Sequence, residues 1–565
     1  MSIAARLPVV LLWHMHQPQY RDAVSGEYVL PWTYLHAIKD YTDMAAHLEA
    51  NPRARAVVNF TPILLEQLDE LAQRVARHLT DGSPLPDPVL ALLGPAPLPQ
   101  GGSERLRMLK ACLRAQRKQM IERFGPYLEL ATLAETLATP ERAVYAADQL
   151  IYDLAVWYHV AWMGETVRRS DAHVAALTEQ GRGFRPEQRR QLLVLIGELL
   201  HGVIPRFRRL ASEGRCELSV SPYSHPILPL LLDFRAVREA TPAAPMPQHA
   251  AYAGGAERAA WHVTESIRVF TRYFGMRPQG CWPSEGAISD TALELLDRHG
   301  FRWAASSGSV LRTSLVTRQA DPDSAASYDR AYSQPGRSLR CYFRDDRLSD
   351  LIGFTYATWR GDDAAHNLVH ELAERARGYA GDPDHVLLIA LDGENAWEHY
   401  PFNGYYFLST LYNALAEHPL LELTTLSECL ARSLPRPLQH VVAGSWVHGT
   451  LATWMGDAAK NAAWDLLCDA KRALDEELAS GALQGERRAA AEHQLALCES
   501  SDWFWWFGDY NPADAVSQFD ELYRRQLASV YRLLGRAAPQ ALSHPISSGG
   551  GEMEHGGVMR RAVAT

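Results

Sequence analysis

Residues 386–404, VLLIALDGENAWEHYPFNG, join an unbroken apolar run to a cluster of acids at its end. Such a run, bounded by a turn, reads as a strand buried on both faces, the kind that parallel sheets carry beneath covering helices. In barrels and open α/β sheets, chemistry sits beyond the carboxyl ends of these strands. Asp392 and Glu394 fall at that place, with Trp397 just after them. An acid directly after a buried strand either caps the next helix or faces a ligand, and the stretch alone leaves both open.

The pattern recurs along the chain. Residues 9–13, VVLLW, read as a first buried strand that delivers His14 and His16. Alternate strand residues share a face, so the two imidazoles form either a metal pair or hydrogen-bonding groups on the wall of a polyol site. A helix pattern at 31–44, a second strand at 56–60 and a further helix give the β–α alternation of a parallel sheet. Residues 81–100 are rich in Pro and Gly and read as a loop. Residues 105–213 carry no strand pattern and read as amphipathic helices inserted into the α/β unit.

Strand patterning resumes at 216, and the loop behind that strand holds His225, which taken alone reads as structural. QGCWPSEGAIS (279–289) places Trp282 and Glu285 ahead of a helix that Ser289 would cap. The plain alternative for Glu285 is an acid favoured by the helix dipole, weakened by its distance from the cap. Arg344 and Asp345 follow another short strand, as a structural ion pair or as support for catalytic carboxylates. The sequence therefore predicts an α/β unit over 1–425, a helical region over 426–535 and a disordered tail over 536–565. SDWFWWFGDYN (501–511) reads more readily as a buried aromatic hub than as a ligand surface, although Asp502 and Asp509 complicate that reading.

Composition narrows the class. The 565 residues are 47% hydrophobic with a formal charge of −10, which gives no basic surface for nucleic acid. Seven cysteines without a CxxC pair indicate neither a cysteine zinc site nor a disulfide framework. The N-terminal apolar run reads as a strand rather than a signal peptide, and no stretch reaches the ~20 apolar residues that span a bilayer. The expectation is a soluble cytoplasmic protein. Its 15 Trp and 23 Tyr suit sugar rings, though large aromatics also fill cores.

HMHQP (14–18), CELSVSPYSHPI (216–227), GCWPSEGAIS (280–289), LIALDGENAWEHYPFNG (388–404) and SWVHGTLATWMGDAAKNAAW (445–464) together resemble, in order, the motifs of glycoside hydrolase family 57. The resemblance implies an incomplete (β/α)7 barrel with a helical insertion and a C-terminal helical domain. It implies a retaining glycosidase acting on α-1,4-linked glucans, with α-1,6 activity left open, and with Glu285 as nucleophile and Asp392 as general acid/base. The second and fourth motifs look most like α-amylase and amylopullulanase members. A 4-α-glucanotransferase or branching enzyme on the same site is the alternative.

Such a mechanism needs its two carboxyls ~5–5.5 Å apart, with the acid's pKa raised and the nucleophile ionised. Glu285 or Glu394 would supply the charge that raises Asp392, and Arg344, with Asp345 beside it, would balance the nucleophile. His14, His16 and His225 would bond sugar hydroxyls, and Trp282, Trp397, Trp454 and Trp503 would line the substrate path. No metal or cofactor is needed, and the expected partner is an α-glucan or malto-oligosaccharide. Two rivals remain: a metal-dependent hydrolase with zinc held by His14, His16 and Asp392, and a non-catalytic α-glucan-binding protein, for which both carboxylates would be superfluous.

Overall fold

The computed structural model describes residues 6–316, 328–379, 382 and 384–551. Seven parallel strands form a ring: β1 (Leu7–Met15), β2 (Ala56–Phe60), β3 (Cys216–Val220), β4 (Gly280–Cys281), β5 (Trp303–Ser307), β6 (Arg340–Arg344) and β7 (Leu387–Asp392). Each pairs in parallel with the next. β7 returns to β1 in a register that runs from Val9↔Leu387 to His14↔Asp392 and closes the barrel. The seams are uneven: Arg344↔Leu388 is the register pair joining β6 to β7, and Val220↔Cys281 joins β3 to β4. At Gly280 a Cβ would meet the Trp303 indole at 1.8 Å, so the short β4 reaches its neighbour only as glycine.

Up to their carboxyl ends β1 and β7 are apolar because helices cover one face and the barrel interior the other. Their shared register sets His14 beside Asp392 at the carboxyl end. The expected insertion lies between β2 and β3, running from Gly102–Ala111 to the long helix Pro186–Ser212, which packs on helix Pro62–Asp81.

The later boundaries differ from those read in the sequence. Arg436–Pro437 pairs with Tyr332–Ser333, so sheet pairing continues past residue 426 and the long C-terminal helices begin only at Ala458. Residues 536–551 of the expected disordered tail are packed: Leu542 is buried, and Asp520 accepts from the backbone N–H of Ile546 and Ser547. The low-complexity composition concealed a few apolar anchors. The remaining tail, 552–565, lies outside the described residues.

Helices Ala458–Ala479, Gly485–Cys498, Ser501–Trp506 and Ala513–Leu534 surround a hub in which Trp464 stacks on Phe504 at 4.3 Å. A buried charge cluster fastens this hub to the barrel. Glu499 accepts from Arg258 at 2.7 Å, His262 at 2.6 Å and Tyr252 at 2.5 Å. Burial raises the Glu499 pKa, but Arg258 and His262 outweigh it and hold the carboxyl down at about 2. Glu499→Ala leaves the Arg258 charge buried without its partner and should cost about 3–5 kcal/mol. Urea unfolding of the variant checks this, and a cost within experimental scatter would mean that water replaces the carboxylate. Because the folded pKa is depressed, the stability is present at neutral pH and is lost as pH falls through the ordinary carboxylate range towards 2.

Candidate active site

A cleft of about 510 Å³ opens at the carboxyl ends of the strands. His14, His16, Glu285, Arg344, Asp392, Glu394, Trp446 and Asp502 are among the residues that line it.

β1 carries His14, whose Nδ1 meets Asn59 Oδ1 of β2 at 2.7 Å, while Asn59 Nδ2 donates to Ser219 Oγ of β3. Three adjacent strands thus orient one imidazole. His16 Nε2 meets Asp502 at 2.9 Å, and its ring stacks on His225 with centroids 3.9 Å apart. His225 stands behind the cleft surface, with Nδ1 3.6 Å from Glu285 Oε1. Burial lowers the pKa of His14 to about 3 and, helped by His16 and His14, puts that of His225 well below its ordinary value, so both are neutral at neutral pH.

Glu285 follows β4 in a tight turn at φ 58°, and His225 adopts φ 68°. Non-glycine residues in this left-handed region carry roughly 1–2 kcal/mol of strain each. The turn aims the Glu285 carboxyl into the cleft, where Trp446 Nε1 donates to Oε2 at 2.9 Å. The Trp446 backbone N–H donates to the Glu285 carbonyl, also at 2.9 Å.

Asp392 ends β7 and accepts from Asn395 at 2.9 Å. Arg344 clamps the same strand through Ala390 O at 2.8 Å, pairs with Asp346 at 2.9 Å and lies over the Trp446 ring. Its charge therefore favours ionised Asp392; the expected balancing role at Glu285 is not what the contacts give.

Both carboxyls are raised. Burial is the main cause at each, and the charges of Asp392 and Asp502 help push Glu285 up to about 8 against the donors Trp446 and Ser501. In the free cleft both carboxyls are thus pushed towards their neutral forms. Two carboxyls that share one cleft titrate as a pair, and their proton belongs to both until a bound sugar distinguishes them. Glu394 does not supply the expected charge: burial and the charge of Asp392 drive its own pKa well above the carboxylate range. It accepts from the His16 N–H and from Gln17, and its Oε2 has no hydrogen-bond partner.

Other expected site residues fall elsewhere. Trp282, Trp397, Trp454 and Trp503 are fully buried, so none offers a face to a sugar. Trp282 backs Trp446 at 5.1 Å, and Trp397 packs on Trp13. Their large apolar area is spent in the wall. Asp345 caps helix Asp346–Asp350 and pairs with Arg375 at 2.9 Å, outside the cleft. The open aromatic surface comes instead from Trp446, Trp505 and Trp506. Sequence reasoning missed Trp446, Ser501 and Asn59. Trp446 lies inside the fifth motif, a visible signal, and Asp502 reads in the sequence only as an acid out of place in an aromatic hub.

The zinc triad His14, His16 and Asp392 is not assembled; among the described residues, ligand atoms of His16, His225 and Asp502 converge instead. No helix among the described residues is long and apolar enough to cross a membrane.

The model of glycosyl hydrolase family 57 matches residues 10–441. No curated protein sequence matches the chain. Among solved structures, a family 57 branching enzyme from Pyrococcus horikoshii is 15% identical with a TM-score of 0.57, covering 95% of this chain and 93% of its own. A family 57 branching enzyme from Thermococcus kodakaraensis, in complex with glucose, is 14% identical with a TM-score of 0.57, covering 93% and 90%. An α-amylase from Thermotoga maritima is 12% identical with a TM-score of 0.56, covering 95% and 96%. At these identities the likeness is one of fold.

Proposed function

Because this chain belongs to glycosyl hydrolase family 57, whose members are glycoside hydrolases and transferases of α-glucans, we propose that it cleaves α-1,4-linked glucans with retention of configuration, as an α-amylase-type hydrolase. The observation that carries this reading is the meeting of Glu285 and Asp392 in one cleft, from strands distant in sequence, with charges close enough that Asp392 shifts Glu285.

In the first step Asp392 protonates the glycosidic oxygen while Glu285 attacks the anomeric carbon from the opposite side, giving a β-linked glycosyl ester. In the second, Asp392 takes a proton from water, which displaces Glu285 and restores the α configuration. Trp446 donates to Glu285, and both Trp446 and Ser501 favour its charged form. As the sugar fills the cleft and its leaving oxygen meets Asp392, the shared proton passes to Asp392. His14 and His16 are hydrogen-bonding groups for sugar hydroxyls, and Trp446, Trp505 and Trp506 are stacking faces.

Product analysis on maltoheptaose and pullulan tests the reading. Only shorter α-configured maltooligosaccharides are expected from maltoheptaose. Longer or branched products would make the enzyme a transferase, and β-configured first products would overturn retention.

The shared proton sets the pH dependence. Turnover needs one proton on the pair, so kcat/KM on maltoheptaose should fall as pH rises through about 8, where Glu285 ionises in the free cleft. In Asp392→Asn the repelling charge is gone, and the Glu285 transition, read by a pH titration of that variant, should move down. A wild-type alkaline limb in the ordinary carboxylate range would contradict this account.

A further inference from the structure

Beside the carboxylate pair, the cleft wall holds a second cluster of nitrogen and oxygen ligand atoms. One ring nitrogen of His16, one of His225 and a carboxylate oxygen of Asp502 lie within 4.8 Å of one another. In each ring the Nδ1 atom is engaged by a hydroxyl: His16 with Thr61 at 3.0 Å, His225 with Ser501 at 2.9 Å. With Nδ1 turned to the Ser501 hydroxyl, Nε2 is the His225 nitrogen left to meet a ligand. That Nε2 is buried, in a residue 1% exposed, and has no hydrogen-bond partner. Leaving such an atom unsatisfied costs about 1–3 kcal/mol. A hydrogen bond on the far nitrogen is also what fixes ring and tautomer in metal-binding histidines.

We propose that His16, His225 and Asp502 form a site for a divalent cation of the Zn²⁺ class, and that its occupancy closes the cleft to glucan. Two imidazoles and one carboxylate suit a borderline cation rather than Ca²⁺ or Mg²⁺, which take oxygen ligands. Three protein ligands leave one coordination position open. With bonds of about 2.0–2.1 Å the ligand atoms stand roughly 3.3 Å apart, so the group contracts slightly around the ion. The cation takes the place between His16 Nε2 and Asp502, and the neutral ring carries its proton on Nδ1, donated to Thr61 Oγ1. His16 and Asp502 line the cleft and His225 touches the surroundings of Glu285, so the ion and its open position occupy sugar space. Only the inhibition rests on the glycosidic reading; the binding does not.

The test titrates the full-length chain with Co²⁺ as a visible probe for Zn²⁺. The expected result is a saturable four-coordinate spectrum, displaced by Zn²⁺ and weakened at least about tenfold in Asp502→Asn and His225→Gln. Thr61→Val keeps every ligand but loses the hydroxyl behind His16, and should weaken Co²⁺ by about 10-fold with the fold intact by circular dichroism. Maltoheptaose should raise the apparent Kd for Co²⁺, and Zn²⁺ should inhibit maltoheptaose cleavage until chelator is added. No spectrum, or one unchanged in Asp502→Asn, overturns the site. A spectrum without inhibition by Zn²⁺, or activity that a chelator destroys, overturns the closure. A chain that cleaves no glucan yet gives the spectrum retains the site and refutes the glycosidic reading alone.

Discussion

Glu285→Gln should reduce cleavage of every α-glucan, activated or not, by a factor on the order of 10⁴ or more. The amide has nearly the shape of the acid, and its oxygen still accepts from Trp446 Nε1, which holds the carboxylate at 2.9 Å. It cannot form the glycosyl ester, because a neutral amide is a poor nucleophile. The variant should be no less stable than the parent. Burial and the charges of Asp392 and Asp502 all disfavour an ionised Glu285, and the substitution removes that opposition. Loss of turnover with an unchanged or higher Tm therefore separates a chemical role from a structural one. A large fall in Tm would assign the lost activity to misfolding.

Asp392→Asn should be selective. It removes the proton donor, which matters when the leaving group is a sugar alcohol and matters little when it is an activated phenol. Maltoheptaose cleavage should fall on the order of 10³-fold, while formation of the glycosyl ester from an aryl α-maltoside is largely spared. The ester then accumulates, since water lacks its base, and azide should restore turnover because it needs none. Azide enters from the side that Asp392 vacates, so the product should be the α-glycosyl azide. Glu285→Gln should show no rescue, as the amide still fills the nucleophile's place. Rescue of Glu285→Gln alone would mean that the two roles are exchanged.

The strands were legible in the sequence because burial on both faces leaves unbroken apolar runs such as those ending at Trp13 and Leu391. The carboxyl-end rule then located Asp392, while Glu285 entered through motif likeness, since its two-residue strand β4 carries almost no pattern. Burial was harder to read for the aromatics. Trp282 and Trp446 are alike in sequence, yet one is walled in and the other faces the cleft, a difference that depends on which loop covers which strand end. Asp502 was noticeable as an acid among aromatics, but its contact with His16 spans 486 positions and no local signal encodes it. The upward shift of both carboxyls was likewise beyond sequence, because it depends on the summed burial and charge around each group.

The mechanism turns on a covalent intermediate at Glu285. A 5-fluoro maltosyl fluoride tests it most directly: the ring fluorine slows both steps, and the fluoride leaving group lets the first proceed. After incubation and proteolysis, mass spectrometry should find one glycosyl adduct, on the peptide that spans GCWPSEGAIS and at Glu285 itself. An adduct on Asp392, or complete turnover of the reagent with inversion and no adduct, would contradict the account.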